Sequence, residues 1–311
     1  MNELELLREW DADAPPLTDS VRARGRFRLY QEMRAPAVST AVPRRPLLRI
    51  AVATVAAAAV TTTVVVAGNT GTSPPARTVS AVTVLRGAAA EERRLEKPIA
   101  PRDDQFIYTK EIIKETPVGG GRSKTYVDES WNSVDGSKRS YVSELGHTQW
   151  VPPDRPGQRS WPPRRWAQLK QLPTDPDKLP IALREVGMRP DYERPMEADD
   201  WPMVQIFLSG LLRAPVLPEG LRPATFEALA TVPGVKVIPG RTDVDGRAGI
   251  GIQYVGEPGT PWAKGEQVLV FDAKTYRYLG MRDRRTAGGT TYRQWSYRAA
   301  EAVVDRVLQR P

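Results

Sequence analysis

Cysteine is absent from the 311 residues. A disulfide framework, a zinc–thiolate site, a thiol nucleophile and a lipid anchor on an N-terminal cysteine are therefore excluded. Histidine occurs once, at His147, which is too few for a histidine-rich metal site. A lone histidine near a strand end is more often structural than catalytic, because a catalytic triad needs partners that no spacing here supplies.

The signature motifs of common enzyme classes are also missing. The sequence has no G-x-S-x-G, no H-E-x-x-H, no P-loop and no G-x-G-x-x-G after a strand. Acidic pairs at 103–104, 175/177, 199–200 and 243/245 precede elements or lie in turns, where carboxylates cap backbone N–H groups. We predict no catalytic residue, no cofactor and no metal ligand, and we expect a binding protein rather than an enzyme.

Positive charge is concentrated near the N-terminus. The formal net charge is +8, from 45 basic and 37 acidic residues. Residues 22–49 contain eight arginines and one acid, Glu32, whereas residues 1–21 contain one arginine and six acids. The other basic residues are spread over a large surface. This distribution is not typical of a nucleic-acid-binding protein, so no direct nucleic-acid binding is expected.

One apolar run is long enough to cross a membrane. Residues 50–67 carry no charge and, with the two preceding leucines, form about 20 apolar positions, which matches a hydrocarbon core of about 30 Å. We therefore predict a transmembrane helix over residues 46–68. The side chains expected within this span include Leu47, Ile50, Val55, Val60, Val64 and Ala67.

The charges that flank the span predict its orientation. Arg44, Arg45 and Arg49 lie on the N-terminal side of the uncharged run 50–67, and the next basic residue is Arg77. The positive-inside rule therefore predicts a single-pass protein of the cell membrane, with its N-terminus in the cytoplasm and its C-terminal part outside. A cleaved signal peptide and a buried helix of a soluble domain are the alternatives. The signal peptide is disfavoured because the region before its apolar core would be unusually long.

The span divides the chain into four predicted parts. These are a basic cytoplasmic segment at 1–45, the span at 46–68, a linker at 69–77 and an extracytoplasmic domain at 78–311. The cytoplasmic segment contains two short helical patterns, neither long enough to be stable alone. It is interpreted either as a solvated tail that contacts anionic lipid heads or as a docking element for a cytosolic partner.

Hydrophobic periodicity in the extracytoplasmic domain predicts a helix, then strands, then helices, then strands again. The predicted helices are 78–95, 175–186, 200–213 and 223–231, and the predicted strands are 105–115, 124–132, 138–144, 147–151, 235–238, 248–255, 266–271, 276–281 and 290–296. Pro180 favours a later start for the second helix, and residues 299–308 suit either a helix or an edge strand. Asp-Gly pairs at 135–136 and 245–246 indicate turns between strands. This order predicts an α+β fold with an antiparallel sheet.

One segment combines aromatic rings, positive charge and proline. Residues 150–166 (WVPPDRPGQRSWPPRRW) contain three tryptophans and four arginines. They are interpreted either as a rim that grips a polymer, a lipid or an anionic head group, or as a surface loop whose tryptophans cover the core. The candidate rim residues are Trp150, Arg155, Arg159, Trp161, Arg164, Arg165 and Trp166.

Several short motifs resemble a known family. They are LPTDPD at 172–177, LL at 211–212, ALA at 228–230, VPGV at 232–235, DGR at 245–247, FD at 271–272 with Thr275, VDR at 304–306 and QRP at 309–311. Together they resemble a family of membrane-anchored proteins of high-GC Gram-positive bacteria that is known by a locus-tag label. The resemblance implies an association with extracytoplasmic-function sigma factors through the basic N-terminal segment. It also implies an outer domain similar to lipoprotein-carrier-like half-barrels, in which a curved antiparallel sheet wraps helices and holds a lipid.

Three functional hypotheses follow. The first is a membrane-anchored extracytoplasmic sensor or binding protein that modulates a sigma factor through residues 1–45. The second is an envelope carrier or chaperone for a lipid or lipoprotein, with a concave apolar cavity lined by strand residues such as Phe106, Tyr108 and Tyr126. The third and least favoured is an envelope enzyme, because no nucleophile or metal signature is present.

Overall fold

The computed structural model describes residues 79–155, 165–187, 195–242, 246–256 and 267–311. All of them belong to Ala57–Pro311, one of the two units into which the chain divides. The predicted cytoplasmic segment, membrane span and linker lie outside the described residues. Within the described residues, no helix is both long enough and apolar enough to cross a bilayer.

Nine antiparallel strands form one sheet in the order β4-β3-β2-β1-β9-β8-β7-β6-β5. The strands are β1 (Phe106–Pro117), β2 (Lys124–Ser133), β3 (Ser140–Glu144), β4 (His147–Val151), β5 (Val235–Thr242), β6 (Ala248–Tyr254), β7 (Val268–Asp272), β8 (Tyr278–Ala287) and β9 (Thr290–Val304). Consecutive strands pair within β1–β4 and within β5–β9. The pairing of β1 with β9 joins the two groups, so the last strand of the chain lies at the centre of the sheet.

The described residues form five α-helices and one short 3-10 helix. They are α1 (Ala81–Leu95), α2 (Trp166–Leu169), α3 (Leu179–Gly187), the 3-10 helix (Ala198–Asp200), α4 (Trp201–Arg213) and α5 (Leu221–Thr231). Helix α1 begins after Ser80, whose hydroxyl accepts a hydrogen bond of 3.1 Å from the Thr83 N–H. This cap satisfies one of the backbone donors that a helix leaves unpaired at its start.

The predicted α+β class with an antiparallel sheet is confirmed. Helix α3 begins at Leu179, close to the later start that Pro180 favoured. A proline in the first turn costs no helical hydrogen bond, because the N–H groups there have no partner within the helix. Before the helix, the Asp175 carboxylate accepts a hydrogen bond of 2.9 Å from the Asp177 N–H, so this predicted start belongs to a turn.

Within residues 299–308, which suit either a helix or an edge strand, the structure places residues 299–304 in a strand and residues 305–308 in a turn. Strand β9 continues to Val304 and pairs with β1 along its length. The register shifts between Lys110 and Glu111, which lie opposite Ala300 and Arg298. One extra residue in β9, Ala299, is therefore a bulge.

The helices cover one side of the sheet, which we call the helix face. Their main contacts are with β5–β8, where Phe226 of α5 packs edge-on to Phe271 of β7 with ring centroids 5.6 Å apart. Leu208 and Leu211 of α4 are fully buried in the same core. Burial of this many apolar side chains is the main stabilising contribution to such a domain.

The other side, which we call the outer face, has a separate and smaller core. It consists of Phe106, Tyr108, Trp131 and Val304. These residues lie on β1, β2 and β9, in the half of the sheet farthest from the main helical core. The two halves of the sheet are thus stabilised mainly from opposite sides.

Candidate functional site

A row of aromatic side chains crosses four strands on the outer face. Tyr108 on β1, Trp131 on β2, Tyr141 on β3 and Trp150 on β4 are successive register partners. Directly opposed residues of antiparallel strands place their side chains on the same face. Successive ring centroids are 5.1, 5.9 and 5.1 Å apart, within the range of favourable aromatic pairs. The row therefore runs without a break from the interior of the sheet to its edge.

The row is buried at one end and exposed at the other. Trp131 is 1% exposed, whereas Trp150 is 47% exposed. Among the described residues, Trp150 is the only aromatic side chain in the exposed class. The Arg139 guanidinium lies 5.0 Å from the Trp150 ring centroid, a cation–π arrangement. This end of the row therefore presents an apolar ring and a positive charge side by side.

Trp150 also lies at an edge of the sheet formed by the described residues. Strand β4 is the terminal strand, and all five of its residues are exposed. Edge strands leave a row of backbone groups without a partner in the sheet. Pro152 and Pro153 follow at once, and since proline has no N–H, the edge ends at Val151.

The structure places the two described tryptophans of the predicted rim on opposite faces of the sheet. Trp150 lies on the outer face. Trp166 is 6% exposed and packs against Ile107, Val134 and Val216 on the helix face. Trp166 therefore covers the core, as the second interpretation of this segment expects. Trp150 is exposed and is still a candidate for the rim. The rim as a whole stays a prediction.

The described arginines of the predicted rim also differ in their surroundings. Arg165 forms an ion pair of 2.5 Å with Asp154. The Asp154 N–H donates a hydrogen bond of 2.9 Å to the Gly136 carbonyl, which holds this segment against the β2–β3 turn. Arg155 is exposed. The remaining candidates, Arg159, Trp161 and Arg164, lie outside the described residues.

Residues near 310 cover the buried end of the aromatic row. The Trp131 Nε1–H donates a hydrogen bond of 2.6 Å to the Gln309 carbonyl, and the Arg310 guanidinium lies 5.6 Å from the Trp131 ring centroid. Arg310 donates two hydrogen bonds, of 2.7 and 2.6 Å, to the Glu129 carboxylate. The Tyr108 hydroxyl donates a third, of 2.7 Å, to the same carboxylate. Trp131 and Tyr108 are therefore held away from solvent.

These contacts determine the charge states at the buried end. Hydrogen bonds from Arg310 lower the pKa of Glu129 to about 2. Burial, together with the hydrogen bond to Glu129, raises the pKa of Tyr108 to about 12. Near neutral pH the carboxylate is therefore ionised and the phenol is neutral, so both are in the states that their hydrogen bonds require.

A second polar group lies on the helix face. Glu115 is 2% exposed and accepts hydrogen bonds of 2.7 and 2.9 Å from Arg285 and of 3.2 Å from Gln294. The Arg285 guanidinium also lies 5.4 Å from the Tyr292 ring centroid. Both oxygens of this buried carboxylate accept hydrogen bonds, so Glu115 and Arg285 form a structural ion pair.

Asp128 is a buried carboxylate whose surroundings disfavour its charged form. It lies opposite Glu111 in the β1–β2 register and accepts a hydrogen bond of 2.8 Å from the Leu145 N–H. Burial raises the pKa of Asp128, and the nearby carboxylates of Glu144, Glu111 and Glu115 add to this shift. Its hydrogen bond holds the β3–β4 turn, where Leu145 has φ of 50°.

The β3–β4 turn borders a surface hollow of about 280 Å³. The hollow is lined by Glu144, Leu145, His147, Thr148 and Gln149. His147 thus has one carboxylate among the lining residues, and no pair of carboxylates accompanies it there. In the part of the chain that the structure describes, no group of three acidic or histidine residues is arranged to hold a metal ion.

The expected lipid cavity is not formed by the residues predicted to line it. Phe106 and Tyr108 lie on the outer face, whereas Tyr126 is opposite Ile113 on the helix face, so the three cannot line one cavity. Between the helices and the sheet, a hollow of about 10 Å³ is bordered by Leu229 and Ile252 among others. A volume of this size holds at most one water molecule.

Sequence reasoning missed the aromatic row and Arg139. Trp131 and Tyr141 flank the predicted hairpin turn at 135–136, but a two-residue turn there would pair Trp131 with Ser140, so the observed register does not follow from it. The contacts with Gln309 and Arg310 join residues about 180 positions apart, and no local pattern indicates them.

Comparisons with known proteins show no family membership. No protein-family model matches the chain, and no curated protein matches it. A solved LolA superfamily protein from Nitrosomonas europaea is similar at 10% identity over 74% of this chain and 96% of its own, with a TM-score of 0.16. A solved DUF1329 family protein from Desulfovibrio piger is similar at 12% identity over 72% and 93%, with a TM-score of 0.22. TM-scores this low do not show a shared fold.

Proposed function

We propose that the protein is an envelope binding or carrier protein that holds an anionic amphiphile at the Trp150 edge of its sheet. The observation that supports this proposal is the exposed Trp150 ring with the Arg139 guanidinium 5.0 Å from it. An amphiphile has an apolar part and a charged head, and this edge offers a matching surface for each. The proposal favours the carrier alternative over the sensor hypothesis for the described domain.

The chemistry of the edge favours an anionic ligand. Trp150 is followed along the row by Tyr141, which is partly buried, so an apolar chain laid on the edge meets a continuous aromatic surface. Arg139 provides positive charge for a phosphate or carboxylate head. In this proposal the ligand lies on the outer face of a half-barrel-like sheet, because the helix face is filled by side chains.

Titration calorimetry tests the proposal with the full chain in an uncharged detergent. The ligand is a short-chain phosphatidylglycerol, and short-chain phosphatidylcholine is the zwitterionic comparison. We expect saturable binding of the anionic lipid only. Trp150→Ala and Arg139→Gln each should weaken binding by about tenfold, or about 1.4 kcal/mol, since the first removes the apolar contact with the ligand and the second removes the charge that pairs with its head.

The matched control is Arg122→Gln. Arg122 is also an exposed arginine, but it lies in the β1–β2 turn at the other end of β2. This variant loses the same charge and should bind as the wild type does. Equal binding by the wild type, Trp150→Ala and Arg139→Gln would reject the Trp150 edge as the site.

The proposal for the full chain also includes cytosolic contact through residues 1–45. Its support is the separation of six acids in residues 1–21 from eight arginines in residues 22–49. We propose that this segment contacts a sigma-factor-related protein. Affinity capture on the full chain and on a chain lacking residues 1–45 tests this. If deletion of the segment changes neither the captured proteins nor transcription, the contact does not exist.

A further inference from the structure

The outer face carries most of the positive charge of the central strands. The registers of β1, β2, β8 and β9 assign each side chain to one face, because opposed residues share a face. The basic side chains on the outer face are Lys110, Lys114, Arg282, Arg284 and Arg293. Glu129 is the only acidic residue of these four strands on that face, and it is paired with Arg310.

The helix face of the same strands has the opposite character. Its acidic residues are Glu111, Glu115, Asp128, Asp283 and Glu301, and its basic residues are Lys124, Arg285 and Arg298. Five acids and three bases give −2 there, whereas five bases and one acid give +4 on the outer face. The sheet is therefore polarised across its thickness, which the net charge of the whole chain does not reveal.

Apolar and aromatic groups lie between the cations of the outer face. Trp295 of β9 is stacked under Arg282, with the guanidinium carbon 4.2 Å from the ring centroid. Tyr297 lies opposite Ile112, which in turn lies opposite Val127. Val127 is 51% exposed. The surface is thus both basic and amphipathic.

We propose that this outer face docks on an anionic bilayer surface. Lysine and arginine near such a surface each contribute about 1 kcal/mol of attraction. Tryptophan and tyrosine are the residues that favour the membrane interface, where one side of the ring is apolar and the other is hydrated. Lys110, Lys114 and Arg293 with Trp295 and Tyr297 combine both features. A soluble anionic polymer would be attracted by the positive charge but would offer no apolar surface to the exposed Val127.

This docking goes beyond the proposed function and does not depend on it. Trp150 lies on the same face as Lys110 and Lys114, so a docked sheet presents its Trp150 edge towards the lipid. The predicted linker at 69–77 has a reach of about 30 Å, which would keep the domain close to the bilayer. A carrier docked in this way would exchange an amphiphile with the membrane while the domain stays on the membrane surface.

A lipid-quenching measurement tests the docking, and the absence of cysteine makes it simple. Thr125 and Asn132 are both exposed on β2 and lie on opposite faces of the sheet. Each is replaced in turn by cysteine in the full chain, labelled with a fluorophore and reconstituted in bilayers that contain a quencher on the lipid. We expect strong quenching for Thr125→Cys in phosphatidylglycerol bilayers, little in phosphatidylcholine, and little for Asn132→Cys in either.

Charge-matched variants complete the test. Replacing Lys110, Lys114 and Arg293 together by glutamine should abolish the quenching at position 125, as should high salt. Replacing three exposed lysines elsewhere, Lys97, Lys170 and Lys274, should leave it unchanged. Equal quenching at positions 125 and 132, or equal quenching in both lipids, would overturn the docking. So would a probe at 125 that responds only to added soluble polyphosphate. Loss of amphiphile binding in Trp150→Ala with quenching intact would separate the two proposals.

Discussion

Arg310 and Glu129 form a bidentate pair, with N···O distances of 2.7 and 2.6 Å, that ties the residues after β9 to the outer face of β2. The pair lies beside Trp131, whose indole N–H is bound to the Gln309 carbonyl. Side chains far apart in the sequence thus close the buried end of the aromatic row. The exposed end at Trp150 is left as the part of the row that a ligand can reach.

The first prediction concerns acid stability. The pKa of Glu129 is lowered to about 2 in the folded protein, from an ordinary value of 4.5. A lowered folded-state pKa contributes stability that is present above about pH 4.5 and is lost as the pH falls towards 2. We expect the free energy of unfolding to decrease across this window in the wild type, and to decrease less in Glu129→Gln. Denaturant titrations at a series of pH values measure both slopes, and parallel slopes would show that the pair contributes nothing.

The second prediction concerns the buried pair Glu115–Arg285. The Glu115 side chain is 3% exposed and that of Arg285 is 35% exposed. Replacing either residue leaves its partner's charge unpaired, and the unpaired Glu115 carboxylate is much less hydrated than the unpaired Arg285 guanidinium. Arg285→Met leaves a buried carboxylate without its cation and should cost about 3 kcal/mol. Glu115→Gln leaves an arginine that water can reach and should cost about 1 kcal/mol. In thermal unfolding the double variant should resemble Glu115→Gln, and equal costs for the two single variants would contradict this account.

The third prediction concerns a glycine on β8. Gly280 has φ of 127°, and a Cβ there would overlap the Ser296 carbonyl oxygen on β9. Gly280→Ala should therefore destabilise the domain by about 2 kcal/mol or more. Gly119 is the matched control, because a Cβ there meets nothing within 4 Å. Chemical denaturation of both variants tests the difference, which would be absent if β8 and β9 separated easily.

Much of the fold was predictable because strand and helix periodicities are local properties. The Asp-Gly turn at 135–136 and the alternation of β2 and β3 indicate the β2–β3 hairpin without any long-range information. The position of β9 between β1 and β8 was not predictable, because it depends on contacts between residues about 190 positions apart. The bulge at Ala299 also breaks the period of two near the end of the strand.

The candidate site was predictable only in part, for a related reason. Trp150 stood out in the sequence as part of an arginine- and tryptophan-rich segment. Composition does not indicate which face of the sheet a side chain occupies, so the segment groups Trp166 with Trp150 although Trp166 lies in the core. Arg139 was missed because its relation to Trp150 exists only once β3 and β4 are paired.

The fourth prediction concerns the membrane span, which lies outside the described residues. Alkaline phosphatase is fused to the full chain after Pro311 and, in a second fusion, after Arg77. The predicted span at 46–68 and the charge of Arg44, Arg45 and Arg49 require activity in both, retained in the membrane fraction. Activity only in the secreted fraction would indicate a cleaved signal peptide, and no activity would indicate a cytoplasmic protein.

The most direct test of the proposed ligand surface is photo-crosslinking in growing cells. A photoreactive aromatic amino acid replaces Trp150 in the full chain and, as a control, Ile181, which is also exposed but lies on helix α3. Mass spectrometry then identifies what each position captures. We predict an adduct with an anionic amphiphile at position 150 and none at 181. The absence of any amphiphile at position 150, or the same adducts at both positions, would contradict the account.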